Sequence, residues 1–209
     1  YETEGLREVL LKYGYVSAST TSYPSIKGYF RLANDIGDAS WVFANNKRYD
    51  HANDRGFRGT FDGNGYSIIG ICKDAGFADE STNRKGLIRT LTAEGTVKNL
   101  VITNAVLWAN ENNMGAIAHK NNGTIEGCVV KDSSLQLGNY DGLGGIAGSN
   151  SGVIRNCAVV NCYFARRHGG KSSKTLGCIT ESNNGTVSNC FSYGCTLKNG
   201  TSANPAIVA

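Results

Sequence analysis

The sequence predicts an all-β fold, a right-handed single-stranded parallel β-helix (a solenoid) with a short N-terminal capping helix. Three observations predict it. A six-residue phrase occurs four times, as Gly95-Thr-Val-Lys-Asn-Leu100, Gly123-Thr-Ile-Glu-Gly-Cys128, Gly152-Val-Ile-Arg-Asn-Cys157 and Gly185-Thr-Val-Ser-Asn-Cys190, with starts 28, 29 and 33 residues apart. Repeats of this length bury their apolar residues only by stacking on one another. A second phrase precedes each copy: Gly86-Leu-Ile, Gly115-Ala-Ile-Ala, Gly144-Gly-Ile-Ala and Gly177-Cys-Ile-Thr. Its glycine lies eight residues before the phrase glycine in the last three copies and nine before it in the first. Finally, apolar residues alternate within each copy and the alternation breaks at Asn or Gly, as in short strands joined by tight corners.

The whole chain, 1–209, reads as a single β-helix domain. Residues 1–28 form the cap: Leu6, Val9, Leu10 and Tyr13 share one helical face and Gly14 stops it. A helix there covers the open apolar end, whose outermost strand is otherwise an unpaired edge. Residues 29–85 are irregular early coils, with Tyr29–Ile36, Trp41, Phe43 and the alternating run Phe57–Gly70 around an Asp62-Gly63-Asn64-Gly65 turn. Residues 86–197 are the regular coils. Their inward positions are Val97, Leu100 and Ile102, then Ile125, Cys128 and Val130, then Ile154, Cys157 and Val159, then Val187 and Cys190. An upstream strand adds the inward column Ile88, Ile117, Ile146 and Ile179. The corner column is Asn99, Gly127, Asn156 and Asn189, two residue types that accept left-handed backbone, and stacked Asn side chains can hydrogen-bond along the axis. Residues 198–209 form a C-terminal tail.

Composition agrees. Gly is abundant at 27, Pro scarce at 2, and 40% of residues are hydrophobic against 18% charged, which suits an ordered chain rich in tight turns. No apolar run approaches the roughly 18 residues of a membrane span, and the N-terminus lacks the basic-then-apolar pattern of a signal peptide. The chain reads as a mature fragment of something larger. A net charge of +4 is mild, and no dense basic stripe with interleaved aromatics points to nucleic acid. Of the seven cysteines, Cys128, Cys157 and Cys190 share one repeat position, where stacking explains them as small hydrophobes. No Cys-x-x-Cys pair or zinc-like Cys/His spacing is present. These patterns imply no cofactor and no metal.

The residues Phe57-x-Gly59-Thr60-Phe61-Asp62-Gly63-Asn64-Gly65, Gly86-Leu-Ile with Gly95-x-Val-x-Asn-Leu100, and Gly144-Gly-Ile-Ala-Gly-x-Asn-x-Gly-x-Ile-x-Asn-Cys157 resemble the GLUG-repeat β-helix family over residues 29–197. His119 stands where that family often has Gly, and the segment Arg89–Glu94 is one residue longer than its counterparts. The resemblance implies a bacterial surface or secreted protein, since the family occurs in adhesin-like proteins and in the non-catalytic part of IgA1-protease-type metallopeptidases. The His-Glu-x-x-His zinc-protease motif is absent from this chain.

Three places carry candidate chemistry. The outward column beside the corner, Lys98, Glu126, Arg155 and Ser188, offers Glu126 and Arg155, with Asp141, as an enzyme face. The same alternation of sign is what favourable pairing of stacked charges selects. The insertion that lengthens the last interval carries Arg166, Arg167, His168, Lys171 and Lys174, a cationic cluster suited to carboxylate, sulfate or phosphate groups, or else simply a solvated loop. An outward apolar row, Val101, Val129, Ala158 and Phe191, is either a partner surface or is covered by the segments holding Trp108, Leu135, Leu137 and Tyr163. Asp62 in its glycine-rich turn lacks the rest of a calcium loop, and the histidines lack triad companions.

Two readings of function result. The first is a non-catalytic surface or secreted interaction, adhesion or spacer domain, a monomer within a larger multidomain parent, that contacts a host glycan or extracellular protein along an extended face. The small residues Ala116, Ala118, Gly145 and Ala147 flatten that face. The second is a lyase or glycoside hydrolase acting on acidic polysaccharide, which requires a carboxylate pair at a defined separation.

Overall fold

A computed structural model describes residues 28–37, 56–71, 86–109, 113–137, 142–166, 175–199 and 207–208. The earliest described strands are β1 (Tyr29–Arg31), β2 (Thr60–Asp62) and β3 (Ser67–Ile69). The first regular turn holds β4 (Ile88–Leu91), β5 (Thr96–Lys98), β6 (Val101–Thr103) and β7 (Val106–Ala109). The next holds β8 (Met114–Gly115), β9 (Ala118–Asn121), β10 (Thr124–Glu126), β11 (Val129–Lys131) and β12 (Ser134–Leu137). Its successor repeats this as β13 (Leu143–Gly144), β14 (Ala147–Asn150), β15 (Val153–Arg155), β16 (Ala158–Val160) and β17 (Tyr163–Arg166). The last turn has β18 (Leu176–Gly177), β19 (Thr180–Asn183), β20 (Thr186–Ser188), β21 (Phe191–Tyr193) and β22 (Thr196–Asn199), and β23 (Ile207–Val208) begins another.

Every pairing is parallel and links equivalent strands of successive turns, giving five faces. The first face is β1-β2-β5-β10-β15-β20 and the second β3-β6-β11-β16-β21. The third is β7-β12-β17-β22, the fourth β8-β13-β18-β23 and the fifth β4-β9-β14-β19. The early coils therefore belong to the same stack as the regular ones. The expected capping helix at 1–28 lies outside the described residues but for Gly28.

The interior is built by like over like. Phe61, Val97, Ile125 and Ile154 stack in register, each nearly or fully buried, as do Ile68, Ile102, Val130 and Val159. Leu107, Leu135 and Phe164 line the third face from inside. The upstream column departs from expectation in one place. Ile117, Ile146 and Ile179 stack, but the residue above Ile117 is Leu87, and Ile88 pairs with Ala118. The longer first turn is absorbed as a one-residue shift in register, which two adjacent aliphatic residues tolerate because both remain buried.

Corner conformation matches the reading of the sequence. Asn99, Gly127, Asn156 and Asn189 have φ of 52°, 61°, 55° and 52°. A second left-handed column, Asn104, Asp132, Asn161 and Gly194, follows five residues later in every turn and was not recognised in the sequence. The axial asparagine ladder forms elsewhere than expected. At the Gly127 corner there is no side chain to continue it, and Asn99 Nδ2 donates instead to Asp62 Oδ1 at 3.3 Å. The continuous ladder is Asn121, Asn150 and Asn183 at the end of the fifth face: Asn121 Nδ2 donates to Asn150 Oδ1 at 2.7 Å, and Asn150 Nδ2 to Asn183 Oδ1 at 2.8 Å. Each of these side chains also accepts the N–H two residues on, from Gly123, Gly152 and Gly185. The Asn-x-Gly spelling of these turns thus has a double cause.

Candidate functional site

The broadest described surface is the first face. Its outward residues form two columns. One is Tyr29, Thr60, Thr96, Thr124, Val153 and Thr186, and the other Arg31, Asp62, Lys98, Glu126, Arg155 and Ser188. The second column alternates in sign for five rungs at the strand spacing of about 4.8 Å. Arg155 Nη2 donates to Glu126 Oε2 at 2.8 Å, and Lys98 Nζ lies 3.6 Å from Asp62 Oδ2. The alternation seen between residues 98 and 155 in the sequence therefore extends back to Arg31, in coils too irregular to align by their repeat phrases.

Asp62 is the centre of this column. It is buried, with 6% of its surface exposed. Tyr29 Oη donates to Asp62 Oδ2 at 2.5 Å, and the Asn64 N–H and Asn99 Nδ2 donate to Oδ1 at 2.9 and 3.3 Å. Burial alone pushes the carboxyl up, but the hydrogen bonds from Tyr29, Asn64 and Asn99, together with the Lys98 charge, outweigh it and hold Asp62 below its ordinary value. The same hydrogen bond raises the Tyr29 phenol. Lys98 Nζ stands 5.7 Å from the centre of the Tyr29 ring, and Arg31 Nη2 donates to Asn64 Oδ1 at 2.5 Å. The Asp-Gly-Asn-Gly turn is accounted for by these bonds. Beside Tyr29 a cleft of about 420 Å³ opens, lined by Gly28, Tyr29, Arg58, Gly59, Thr60 and Glu94. Sequence reading passed over it because Arg58 and Glu94 lie 36 positions apart in the chain and meet only through the pairing of β2 with β5.

Of the enzyme-face candidates, Glu126 is ion-paired to Arg155 and Asp141 lies outside the described residues. Of the cationic cluster, Arg167, His168, Lys171 and Lys174 also lie outside them. Arg166 does not: it is the last residue of β17, in register with Leu137 and Asn199, and only 6% exposed. It belongs to the packed wall of the third face and is withdrawn from any solvent-facing patch. Among the described residues no three His, Cys, Asp or Glu side chains converge as metal ligands would.

The apolar row is real as a column, since Val101, Val129, Ala158 and Phe191 pair in register. Val101 and Val129 are half-buried, Ala158 buried and Phe191 59% exposed. The described residues of the segments expected to cover it, Trp108, Leu135, Leu137 and Tyr163, lie on another face. They form the third face, where Leu135 points inward and Trp108 stacks over Gln136 and Ala165. Nor do Ala116, Ala118, Gly145 and Ala147 make a flat exposed surface, because all four are buried. A Cβ on Gly145 would lie 2.0 Å from Cys178 O and 2.9 Å from Val159 Cγ2, so glycine there admits the backbone of the next turn and a core side chain.

Five of the six described thiols form two columns, with Cys178 apart from both. Cys128, Cys157 and Cys190 each donate to backbone carbonyls, Cys128 to Glu126 O at 3.3 Å and Cys157 to Arg155 O at 3.2 Å. Cys162 and Cys195 repeat the arrangement at the next corner, below Ser133. All six described cysteines are free. Burial pushes the Cys162 thiol up to about 12 and raises Cys128 and Cys178 as well. Cys157 shifts the other way, lowered by its hydrogen bond with Cys128, and Cys128, Cys157, Cys162 and Cys178 are buried in the packed interior.

No family model matches the chain, and no solved structure matches it. Among curated proteins it is similar to Halomucin of Haloquadratum walsbyi, at 32% identity over 127 residues, which is 60% of this chain. The chain spans about 1% of the length of that relative.

Proposed function

We propose that this chain is a non-catalytic interaction module of a surface or secreted protein, a GLUG-type right-handed solenoid that contacts a glycan or an extracellular protein along its first face. One observation carries the reading: the charges on that face are spent on one another. Glu126 is held by Arg155, and Asp62 by Tyr29, Asn64, Asn99 and Lys98. A hydrolase of polysaccharide needs one carboxyl poised to donate and another free to accept at a set separation, whereas a binding face needs rigid, self-satisfied side chains that lose little entropy on contact. Likeness to part of a very long protein named as a mucin supports a surface location. Localisation within a larger multidomain parent belongs to the same reading.

The test is an array of glycans and extracellular proteins probed with the whole chain. Saturable binding to a glycan or protein class is the expected result. Comparison with an Arg167→Ala/Lys171→Ala variant reports whether the cationic insertion shares in it, and Arg166 is left intact because it is buried. Silence across the array overturns the interaction reading and leaves a spacer.

A further inference from the structure

We propose that the cleft beside Tyr29 is a saccharide subsite, in which Tyr29 is the platform for one pyranose ring and Arg58, Thr60 and Glu94 grip its hydroxyls. The inference rests on the interaction reading above and gives it a place and a ligand class.

Tyr29 is an exposed aromatic, 59% accessible, and yet it is not free to swing. Its hydroxyl is tied to Asp62 at 2.5 Å and its ring lies against the Lys98 ammonium. Elsewhere among the described residues large exposed aromatic side chains occur only at the far end of the stack, as Phe191 and Tyr193. A fixed aromatic surface suits the C–H face of a sugar ring, and its restraint removes an ordering cost that a mobile side chain would incur on binding. The floor of the cleft is backbone. A Cβ on Gly59 would stand 2.3 Å from Gly28 O, so the two rungs come together there with no side chain between them.

The rim has the complementary chemistry. Arg58 offers a planar fork of donors, Thr60 a hydroxyl that donates and accepts, and Glu94 a carboxylate that accepts. Vicinal sugar hydroxyls present paired donors and acceptors that suit such a mixed rim. The cleft, about 420 Å³, is open to solvent, so a ring seated in it keeps one side wet. The outward threonines of β5 and β10 continue from Thr60 along the face, a polar track on which a longer saccharide could lie.

The experiment uses the full chain with cellohexaose, chitohexaose and hexagalacturonate, read by saturation-transfer NMR and calorimetry. Binding of at least one is expected, with transfer strongest to the C–H protons of one ring. Tyr29→Ala should weaken it about tenfold, the loss of one aromatic contact. Tyr29→Phe, which keeps the ring but drops the Asp62 bond, should weaken it less than Tyr29→Ala. Arg58→Gln and Glu94→Gln should each weaken it, and Tyr193→Ala should not. Melting curves of each variant separate loss of binding from loss of fold. If the array detects a glycan ligand whose affinity Tyr29→Ala leaves unchanged, the cleft is overturned while the interaction reading stands. If no oligosaccharide binds and the array is also silent, both fall.

Discussion

The buried asparagines show how one side chain can stabilise three turns. Asn150 is fully buried, accepts from Asn121 and from the Gly152 N–H, and donates to Asn183 and to Thr186 O. Replacing it with Ala removes those four bonds, leaving the Asn121 amide with only Val153 O and the Gly152 N–H with only Asn121 O. Asn150→Ala should therefore cost about 3 kcal/mol in urea unfolding, whereas Asn183→Ala, at the exposed end of the ladder, should cost about 1 kcal/mol or less. The ladder could have been found from sequence, since Asn121, Asn150 and Asn183 each stand two residues before a phrase glycine. The corner column drew notice first because it lies inside the repeat phrase, and Gly127 there interrupts any continuous stack. Arg166 stands apart from the insertion for a related reason. Its charge assigns it to the insertion, but its position is the last rung of β17, where register with Leu137 decides burial.

At the scale of an element, the first face couples stability to acid through Asp62. Its folded pKa lies below the ordinary 3.8, so the folded state favours the carboxylate more than the unfolded chain does. The stabilisation is complete above that ordinary value and disappears as pH falls through the lower, folded one. Asp62→Asn should accordingly destabilise the chain most near neutrality, and the gap between variant and parent should close on acidification below about pH 4. Urea titrations at several pH values measure it. A gap that stays constant would mean that Asp62 acts through shape and not through charge. Strand alternation made the inward and outward sides of this face legible, because it has one wet side. The fifth face was less legible: Ala118 and Ala147 are buried together with the next residues along, His119 and Gly148, so alternation carries no signal there.

Over the whole molecule, stability is a sum of rungs and of the contacts between neighbouring rungs. The same column should therefore be worth different amounts along its length. Ile154, fully buried between β10 and β20, should cost about 3 kcal/mol on truncation to Ala. Val187, one rung further on and half-buried, should cost about 1 kcal/mol. Equal losses would mean that the last turn is packed as tightly as the middle of the stack. The parallel coiled architecture was legible because a repeated phrase must stack on itself. Binding chemistry was not, because the Tyr29 cleft is assembled across rungs and leaves no contiguous motif.

The unequal repeat intervals have a single source. From Gly123 to the end of β12, and from Gly152 to the end of β17, the count is the same, as it is from the starts of β13 and β18 to the next phrase glycine. All the difference lies between the third face and the fourth, where Ala109 to Met114, Leu137 to Leu143 and Arg166 to Leu176 span 5, 6 and 10 positions. Chain length can thus be added at that one corner without disturbing the register of any rung. Such a seam lets a lineage, or an engineer, graft new peptides in a vertical row onto an unchanged scaffold, rewriting what the molecule displays while leaving how it folds alone.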